Sequence, residues 1–254
     1  MKEKIKAVFF DLDGTLVDKK TETIPQSTQD ALKMLQCNGI KVFIASGRPP
    51  IWAAYVREQF EFVFDGKVLF NGQYCVDASD VPFYRHPLTN TQCCAILDWM
   101  QDHPSISCNF MESDYVYSNF SSAGNQAVED PARCLNYDTY QISPQIGPEL
   151  DEEILRRVPG IKSARWNDSS TDLIPGDGGK SVGMEKMLEH FGLHRNQCMA
   201  FGDGANDIEM LQYAAIGVAM GNGTDEVKQA ADYVTDPVDG DGIHNALRHF
   251  GLIS

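Results

Sequence analysis

Short, mostly apolar runs alternate with segments of helical periodicity at both ends of the chain. Residues 5–10 and 40–45 are apolar runs of strand length, which favours strands buried on both faces of a parallel sheet. Between them, Pro25 can begin a helix in which apolar residues recur at helical spacing. This order of strand, helix and strand predicts a right-handed unit whose two strands end at the same edge of the sheet.

The same alternation continues to about residue 70 and returns after Lys180. A helix is predicted from Pro50 to about residue 60, and short strands are predicted at residues 62–64 and 68–70. In the last third of the chain, helices are predicted at residues 181–191 and 205–214, strands at 198–201 and 217–220, and further elements up to residue 250. We therefore predict an α/β fold with a Rossmann-like parallel-sheet core made from both ends of the chain.

The middle of the chain has a different character. Pro, Ser, Asn and Tyr become frequent between residues 77 and 180, where a helical pattern alternates with strand-like runs. Both borders of this region carry the Pro, Gly and Asp residues expected of hinges. The sequence therefore predicts a discontinuous core domain, residues 1–80 and 180–254, with an α+β cap domain inserted at residues 81–179.

The composition is that of an ordinary soluble globular protein, and it narrows the possible partners. With 254 residues, of which 43% are hydrophobic and 22% charged, the chain resembles neither a disordered nor a collagen-like protein. Its net charge of −15 repels nucleic-acid phosphates and anionic lipids, so neither nucleic acid nor a membrane is expected as a partner. No apolar run is long enough to span a bilayer and no signal peptide is recognisable, which favours a cytoplasmic protein. Seven cysteines without a Cys-x-x-Cys pair favour reduced thiols over a closed zinc site.

Two pairs of carboxylates are predicted at the carboxyl edge of the sheet. Asp11 and Asp13 follow the first strand, and residues two apart in a strand share one face. Asp203 follows a later strand, and Asp207 lies in the first turn of the next predicted helix. Each pair alone is also compatible with an ordinary turn or helix start. Four carboxylates at one edge repel each other unless a cation lies between them, and oxygen ligands favour Mg²⁺.

Groups that can bind a phosphate are predicted at the same edge. Ser46-Gly47-Arg48 follows the second strand and supplies a hydroxyl, a flexible backbone and the start of a helix, whose backbone amides bind anions. Lys180 is the ammonium at the point where the chain returns to the core. Thr15, Arg48 and Asn71 are further candidates, each of which also has an ordinary structural or surface interpretation.

Four segments of the chain resemble, in order, the motifs of the haloacid dehalogenase-like hydrolases, and more narrowly of their Cof-type sugar-phosphate phosphatase branch. The segments are Asp11-Leu12-Asp13-Gly14-Thr15, Ser46-Gly47-Arg48, Lys180 and Gly202-Asp203-Gly204-Ala205-Asn206-Asp207. Residues 14–45 are too few for a domain between the first two segments, whereas residues 47–179 leave room for one before Lys180. In the family, a cap domain in this second position is associated with phosphatases of small metabolites.

The resemblance implies an Mg²⁺-dependent phosphatase that hydrolyses small phosphate monoesters, with sugar phosphates as the expected substrates, through an aspartyl-phosphate intermediate. By the same resemblance, Asp11 is the nucleophile and Asp13 is the general acid and base. The groups expected to bind the phosphoryl group are Ser46, Gly47, Lys180 and Asn206, and those expected to bind the metal are Asp11, Asp13, Asp203 and Asp207.

Two other functions stay open at this point. A phosphomannomutase-like phosphotransferase would move phosphate between two positions of a sugar, and a non-catalytic sensor would bind a phosphorylated metabolite without turnover. Retention of Asp13 argues against the sensor, because binding alone does not need a proton donor. In each case the expected partner is a small phosphorylated metabolite, bound by a monomer or a weak homodimer.

Overall fold

The computed structural model describes residues 4–54, 60, 62–120 and 127–254, which form two β-sheets and the helices packed on them. The strands are β1 (Ala7–Phe10), β2 (Lys41–Ala45), β3 (Gly66–Leu69), β4 (Tyr74–Asp77), β5 (Pro82–Arg85), β6 (Cys108–Met111), β7 (Val116–Ser118), β8 (Ala127–Val128), β9 (Gln141–Pro144), β10 (Ile161–Asn167), β11 (Ser170–Pro175), β12 (Cys198–Gly202), β13 (Ile216–Ala219) and β14 (Tyr233–Val234). The helices are α1 (Gln26–Cys37), α2 (Pro50–Ala53), α3 (Asn90–Asp102), α4 (Asp151–Arg157), α5 (Lys180–His190), α6 (Ile208–Tyr213), α7 (Asp225–Ala230) and α8 (Gly242–His249). Among the helices of these described ranges, none combines the length and apolarity that a membrane crossing requires.

The larger sheet has the strand order β14-β13-β12-β1-β2-β3-β4-β5, and its centre is parallel. Strand β1 pairs in parallel with β12 on one side and with β2 on the other. All four residues of β1 are buried, because Val8 and Phe10 pack with α1 and α8 on one face while Phe9 packs with α5 and α6 on the other. The predicted α/β fold with a parallel-sheet core is confirmed. Its consequence is that β1, β2 and β12 all end at the same edge.

This sheet extends further along the chain than the core boundary predicted at residue 80. Strand β5 pairs antiparallel with β4, so Pro82–Arg85, which the sequence places in the cap domain, belongs to the larger sheet. The change from one sheet to the other therefore comes after Arg85. The division of the chain into a core and a cap domain stays a prediction.

The predicted strand at residues 62–64 is wrong. Phe62 and Phe64 are buried, and their rings meet edge to face with centroids 4.9 Å apart. Backbone pairing with β2 starts only at Asp65, whose N–H donates to the carbonyl of Val42 at 2.9 Å. The apolar residues of this segment fill the core without joining the sheet, which an apolar run alone does not distinguish from a strand.

One predicted helix is described only in part, and another begins later than the sequence indicates. The helix predicted from Pro50 is described over Pro50–Ala53, and residues 55–59 of its predicted range lie outside the described residues. The helix predicted at residues 205–214 begins at Ile208, after a single 3₁₀ turn at Ala205–Asp207. Such tight turns are common at helix starts, and this one places Asp207 directly in front of α6.

The second sheet, of strand order β10-β11-β9-β6-β7-β8, separates apolar from polar side chains by the two-residue period of its strands. Phe110 on β6, Ile142 on β9 and Leu173 on β11 are fully buried in one cluster with residues of α3 and α4. Their neighbours along the strands line a cavity on the opposite face; they are Asn109, Met111, Gln141, Ser143 and Asp172. The second sheet therefore presents a mainly polar face to the carboxyl edge of the first.

The chain crosses between the two sheets twice, and the two crossing segments are tied together beside strand β4. His86 N–H donates to the carbonyl of Gln73 at 2.8 Å, and its imidazole lies 2.9 Å from Asp177. Gly72 approaches the second crossing so closely that a Cβ there would lie 1.9 Å from the carbonyl oxygen of Gly179. Gly72 also has a φ of +100°, so both backbone conformation and space require glycine.

Replacing Gly72 with alanine should therefore destabilise the protein more than its left-handed backbone alone explains. Gly39→Ala is the matched control, because Gly39 has a φ of +74° but a Cβ added there would meet no atom of the described residues within 4 Å. We expect the control to lower the free energy of unfolding by about 1–2 kcal/mol and Gly72→Ala by about 3 kcal/mol or more. Urea titration measures both values, and equal losses would contradict the close approach to Gly179.

Candidate active site

A buried lysine joins the two ends of the chain at the carboxyl edge of the larger sheet. Lys180 is the first residue of α5, and its Nζ lies 2.6 Å from Oδ1 of Asp11 and 2.5 Å from Oδ1 of Asp207. Its side chain is 0% exposed. Burial opposes the ammonium charge, but the two carboxylates outweigh burial and raise the pKa of Lys180 above its ordinary value. Lys180 is therefore a permanent positive charge between two acids.

Asp11 takes its place because it is the first residue after β1. Its backbone N–H donates to the carbonyl of Phe201 at 3.0 Å, which extends the parallel pairing with β12 by one residue. The chain then turns away at Gly14, which has a φ of +91° and where a Cβ would lie 2.3 Å from Oδ2 of Asp203. The Asp-x-Asp-Gly segment thus turns sharply enough to bring Asp203 against it.

The second acidic pair is held by different partners. Asp203 accepts hydrogen bonds from the Thr15 hydroxyl at 3.0 Å and from the Lys19 ammonium at 2.9 Å. Asp207 uses Oδ2 to accept from the backbone N–H groups of Asp203 at 2.9 Å and Gly204 at 2.8 Å, which leaves Oδ1 to Lys180. Asp207 therefore fixes both the loop after β12 and the position of the lysine.

Three carboxylates crowd this edge more closely than their ammonium partners can neutralise. Asp11, Asp203 and Asp207 are buried, and one oxygen of each lies within 4.8 Å of the others. Burial and the neighbouring Asp207 raise the pKa of Asp11 to about 8, even though Lys180 opposes the shift. Burial and Asp207 also raise the pKa of Asp203. Three of the four predicted acids thus lie together, and their all-oxygen donor set with surplus negative charge fits a hard divalent cation.

Asp13 is the one predicted acid whose carboxylate lies outside this cluster, where it pairs with Arg48. Arg48 grips it with two hydrogen bonds, Nε to Oδ2 at 2.7 Å and Nη2 to Oδ1 at 2.8 Å. Both side chains are about one third exposed, at 37% for Arg48 and 36% for Asp13. The pair lies at the mouth of the site, where Asp13 can meet a bound molecule.

Three of the four residues predicted to bind phosphate line one cavity with these acids. Ser46 is buried directly after β2, and its hydroxyl oxygen accepts the backbone N–H of Arg48 at 3.1 Å. Ser46, Gly47 and Asn206 line a cavity of about 480 Å³ together with the acids of both pairs. The fourth, Lys180, is buried against Asp11 and Asp207 and is not among the residues that line this cavity. The structure thus places the predicted site residues at one edge of the larger sheet, and their roles stay predictions.

The other wall of the cavity was not predicted from the sequence. Its residues come mainly from the second sheet: Asn109, Met111, Gln141, Ser143, Trp166 and Asp172. Asp172 is buried and accepts hydrogen bonds from Ser143 at 2.6 Å, from Asn71 at 2.8 Å and from the Trp166 indole at 3.2 Å. No motif marks these residues, and only the alternation of apolar and polar positions along β6, β9 and β11 could have indicated those other than Trp166, which lies on β10. Lys19 was missed as well, because only the fold brings it to Asp203.

Known proteins resemble this chain over almost its whole length. A family model described as haloacid dehalogenase-like hydrolase matches residues 8–145 and 121–247. YkrA of Bacillus subtilis, provisionally designated a phosphatase, is 34% identical over 98% of this chain and 98% of its own length. The solved structure of BT4131, a sugar phosphatase of HAD subclass IIB, matches with a TM-score of 0.87 at 34% identity, covering 98% of this chain and 100% of BT4131. BT1666 from Bacteroides thetaiotaomicron, described among phosphatases of this superfamily, matches with a TM-score of 0.91 at 27% identity, covering 98% and 96%.

The buried carboxyl of Asp172 should make stability depend on pH. Burial raises its pKa from 3.8 to about 6, although Ser143 and Asn71 oppose the shift. Between these values the folded protein holds a proton that the unfolded chain has lost, so the contribution of Asp172 to stability falls as pH rises from about 4 to about 6. We expect Asp172→Asn to gain on the order of 2–3 kcal/mol relative to the wild type over that interval.

Urea unfolding of both proteins at several pH values between 4 and 7 measures this difference. Asp30→Asn is the control, because Asp30 is exposed on α1 and its replacement removes no buried carboxyl. A difference between Asp172→Asn and the wild type that stays constant with pH would contradict the prediction.

Proposed function

This chain belongs to the haloacid dehalogenase-like hydrolases, and on that premise we propose that it is an Mg²⁺-dependent phosphatase that hydrolyses small phosphate monoesters, with sugar phosphates as substrates, through an aspartyl phosphate. The observation that carries the proposal is the position of Asp11. Its carboxylate is held by Lys180 and belongs to the acidic cluster. It also lines the cavity, together with Ser46 and Asn206. The proposed nucleophile, the proposed cation site and the phosphate-binding groups therefore lie around one cavity.

Asp11 and Asp13 divide the covalent chemistry between them in this proposal. Asp11 attacks phosphorus, which forms an aspartyl-phosphate bond and breaks the bond to the ester oxygen. Asp13 gives its proton to that leaving oxygen. In the second half, Asp13 takes a proton from a water molecule, whose oxygen attacks phosphorus and releases phosphate from Asp11. Both residues then return to their starting states.

The Arg48 pair sets a condition on this mechanism. A carboxylate that accepts two hydrogen bonds from a guanidinium carries no proton to give. Asp13 must therefore release Arg48 and take up a proton from solvent before it can give that proton to the leaving oxygen. Both side chains are partly exposed, so separating them costs little compared with breaking a buried pair.

The acidic cluster is where a cation is needed. A carboxylate and a phosphate oxygen about 4 Å apart repel each other by roughly 4 kcal/mol per pair of unit charges at an effective dielectric of about 20. Residues placed to hold Mg²⁺ are Asp11, the backbone carbonyl of Asp13, Asp203 and Asp207. The bound ion would supply the positive charge that offsets this repulsion. Lys19, the present partner of Asp203, is 62% exposed and can be exchanged for the ion at little cost.

The remaining groups hold the phosphoryl oxygens. Lys180 offers a fixed ammonium, and Ser46 and Asn206 offer a hydroxyl and an amide on the cavity wall. Gly47 lets the backbone come close to the ligand. Positioning and neutralisation of charge are most of what phosphoryl transfer requires of a protein.

A neutral, hydroxylated leaving group suits the opposite wall. Gln141, Ser143 and Asn109 supply amide and hydroxyl groups, and Trp166, which is 52% exposed, supplies an aromatic surface. The cations among the described lining residues, Lys19 and Arg48, lie on the side of the first sheet, and the opposite wall contributes none. We propose that the inserted segment, from the end of β5 to residue 179, forms the cap domain that carries this wall and encloses the substrate. BT4131, with its similar fold, is a sugar phosphatase, which supports the same substrate class.

Replacing Asp11 with asparagine should abolish turnover without unfolding the protein. The variant keeps the size of the side chain but lacks the nucleophilic carboxylate, so we expect the rate of phosphate release to fall by about a thousandfold or more. Phosphate release from a panel of sugar phosphates, with and without Mg²⁺, measures the rate, and circular dichroism checks the fold. An unaltered rate in a folded Asp11→Asn protein would exclude the covalent route.

Magnesium should stabilise the protein, and Asp203 should be required for this effect. At a concentration one hundred times Kd, a ligand of the folded state contributes about 2.7 kcal/mol, which for a chain of this size raises Tm by roughly 5 °C or more. In Asp203→Asn the shift should disappear, whereas the exposed control Asp30→Asn should keep it. Differential scanning fluorimetry with an Mg²⁺ titration measures the shift. If Asp203→Asn responded like the wild type, the cation site would lie elsewhere.

A further inference from the structure

One buried amide connects the second sheet to the loop that follows β12. Asn71 is 1% exposed and uses all the hydrogen-bonding groups of its side chain. Its Nδ2 donates to Oε1 of Gln141 at 3.0 Å and to Oδ2 of Asp172 at 2.8 Å, both in the second sheet. Its Oδ1 accepts from Nδ2 of Asn206 at 3.0 Å. Both amide hydrogens and the amide oxygen are thus committed to these three partners.

The backbone around Asn71 is fixed as firmly as its side chain. Its N–H donates to the carbonyl of Ser46 at 3.0 Å. A Cβ at Gly47 would lie 3.0 Å from Nδ2 of Asn71, so the amide packs directly on the phosphate-binding turn. Asn71 itself has a φ of 52° and a ψ of 35°, a left-handed conformation that asparagine tolerates better than most residues. The side chain is thereby aimed at Asn206 and Asp172 together.

The contact with Asp172 is charge-assisted and hard to replace. Asp172 is 4% exposed, and its hydrogen-bond donors in the described structure are Asn71, Ser143 and Trp166, none of which carries a charge. Losing one of three donors would leave a buried carboxylate under-satisfied, which is costly. The hydrogen bond between Asn71 and Asp172 therefore stabilises the position in which the second sheet covers the cavity.

We propose that Asn71 is a positioning residue that links two features of the site. One is the position of the second sheet over the cavity, and the other is the orientation of the Asn206 side chain toward the phosphoryl group. When Asp172 and Gln141 hold the amide nitrogen of Asn71, its oxygen faces Asn206 and takes one of that residue's two amide hydrogens. The other amide hydrogen of Asn206 is then directed to the ligand. This inference rests on the proposed function, because it takes Asn206 as a phosphoryl ligand.

A purely structural role makes a different prediction, which Asn71→Gly tests. Glycine keeps the left-handed turn without strain, so a structural role predicts a folded protein that loses only the stability of the missing hydrogen bonds and keeps normal activity. The coupling role predicts the same loss of stability and, in addition, a kcat/KM that falls about tenfold to a hundredfold and a Kd for inorganic phosphate in the presence of Mg²⁺ that rises about tenfold. Asn38→Gly is the matched control, because it removes an exposed amide at the end of α1.

An exchange of the two partners tests the hydrogen bond itself. Asn71→Asp places a carboxylate against Asp172 and should lower kcat/KM at least as much as Asn71→Gly does. Adding Asp172→Asn restores an amide and a carboxylate with their positions exchanged, while an aspartate side chain at position 71 can still accept from Asn206. The double variant should recover at least about tenfold of the activity lost by Asn71→Asp.

Hydrolysis of p-nitrophenyl phosphate, calorimetric titration with phosphate and unfolding temperatures provide the readouts. Normal activity and phosphate affinity in Asn71→Gly, or a double variant no better than Asn71→Asp, would overturn the coupling role. If the wild type released no phosphate with Mg²⁺ from this or any sugar phosphate, the proposed function would fail first. The two failures are therefore distinguishable.

Discussion

The buried ammonium of Lys180 is the interaction on which the rest of the site depends. It is held between Asp11, at the end of β1, and Asp207, beyond the end of β12, so it joins parts of the chain that are 169 residues apart in sequence. A charge at this depth is stable only while both acids surround it. Conversely, the acids could not approach one another so closely without it. The site therefore depends on the pairing of β1 with β12, which brings the three groups together.

The carboxylates at this edge carry more negative charge than Lys180 and Lys19 offset, which favours the binding of a cation. Burial, together with the neighbouring Asp207 and Asp203, raises the pKa of Asp11 to about 8, although Lys180 opposes the shift. A divalent ion would relieve this repulsion and keep Asp11 ionised, which a nucleophile requires. Asp13 stands outside the cluster beside Arg48, in more exposed surroundings suited to a group that exchanges protons. The surroundings of Asp11 and Asp13 thus suit them to different steps of the reaction, although they are only two residues apart in sequence.

The parallel core and one half of the site could be predicted from the sequence, for physical reasons that individual residues show. Asp11, Ser46 and Asp203 follow short apolar runs that favour buried strands, and parallel strands bring such residues to one edge. Residues 62–64 do not follow this rule, because Phe62 and Phe64 are as apolar as a strand but fill the core with their rings. The wall formed by Gln141, Ser143 and Asp172 has no local signature. Its position depends on how the second sheet rests on the first, which no short pattern encodes.

In the proposed reaction, Asp11 carries the phosphoryl group during turnover, and this step can be observed chemically. The experiment is rapid acid quenching of the Mg²⁺-loaded protein with a sugar phosphate, followed by peptide mass spectrometry. We expect the mass of one added phosphoryl group on the peptide that contains Asp11, formed within the first turnover and lost as phosphate is released. Phosphate release without any such adduct, or an adduct on another residue, would show that Asp11 is not the nucleophile.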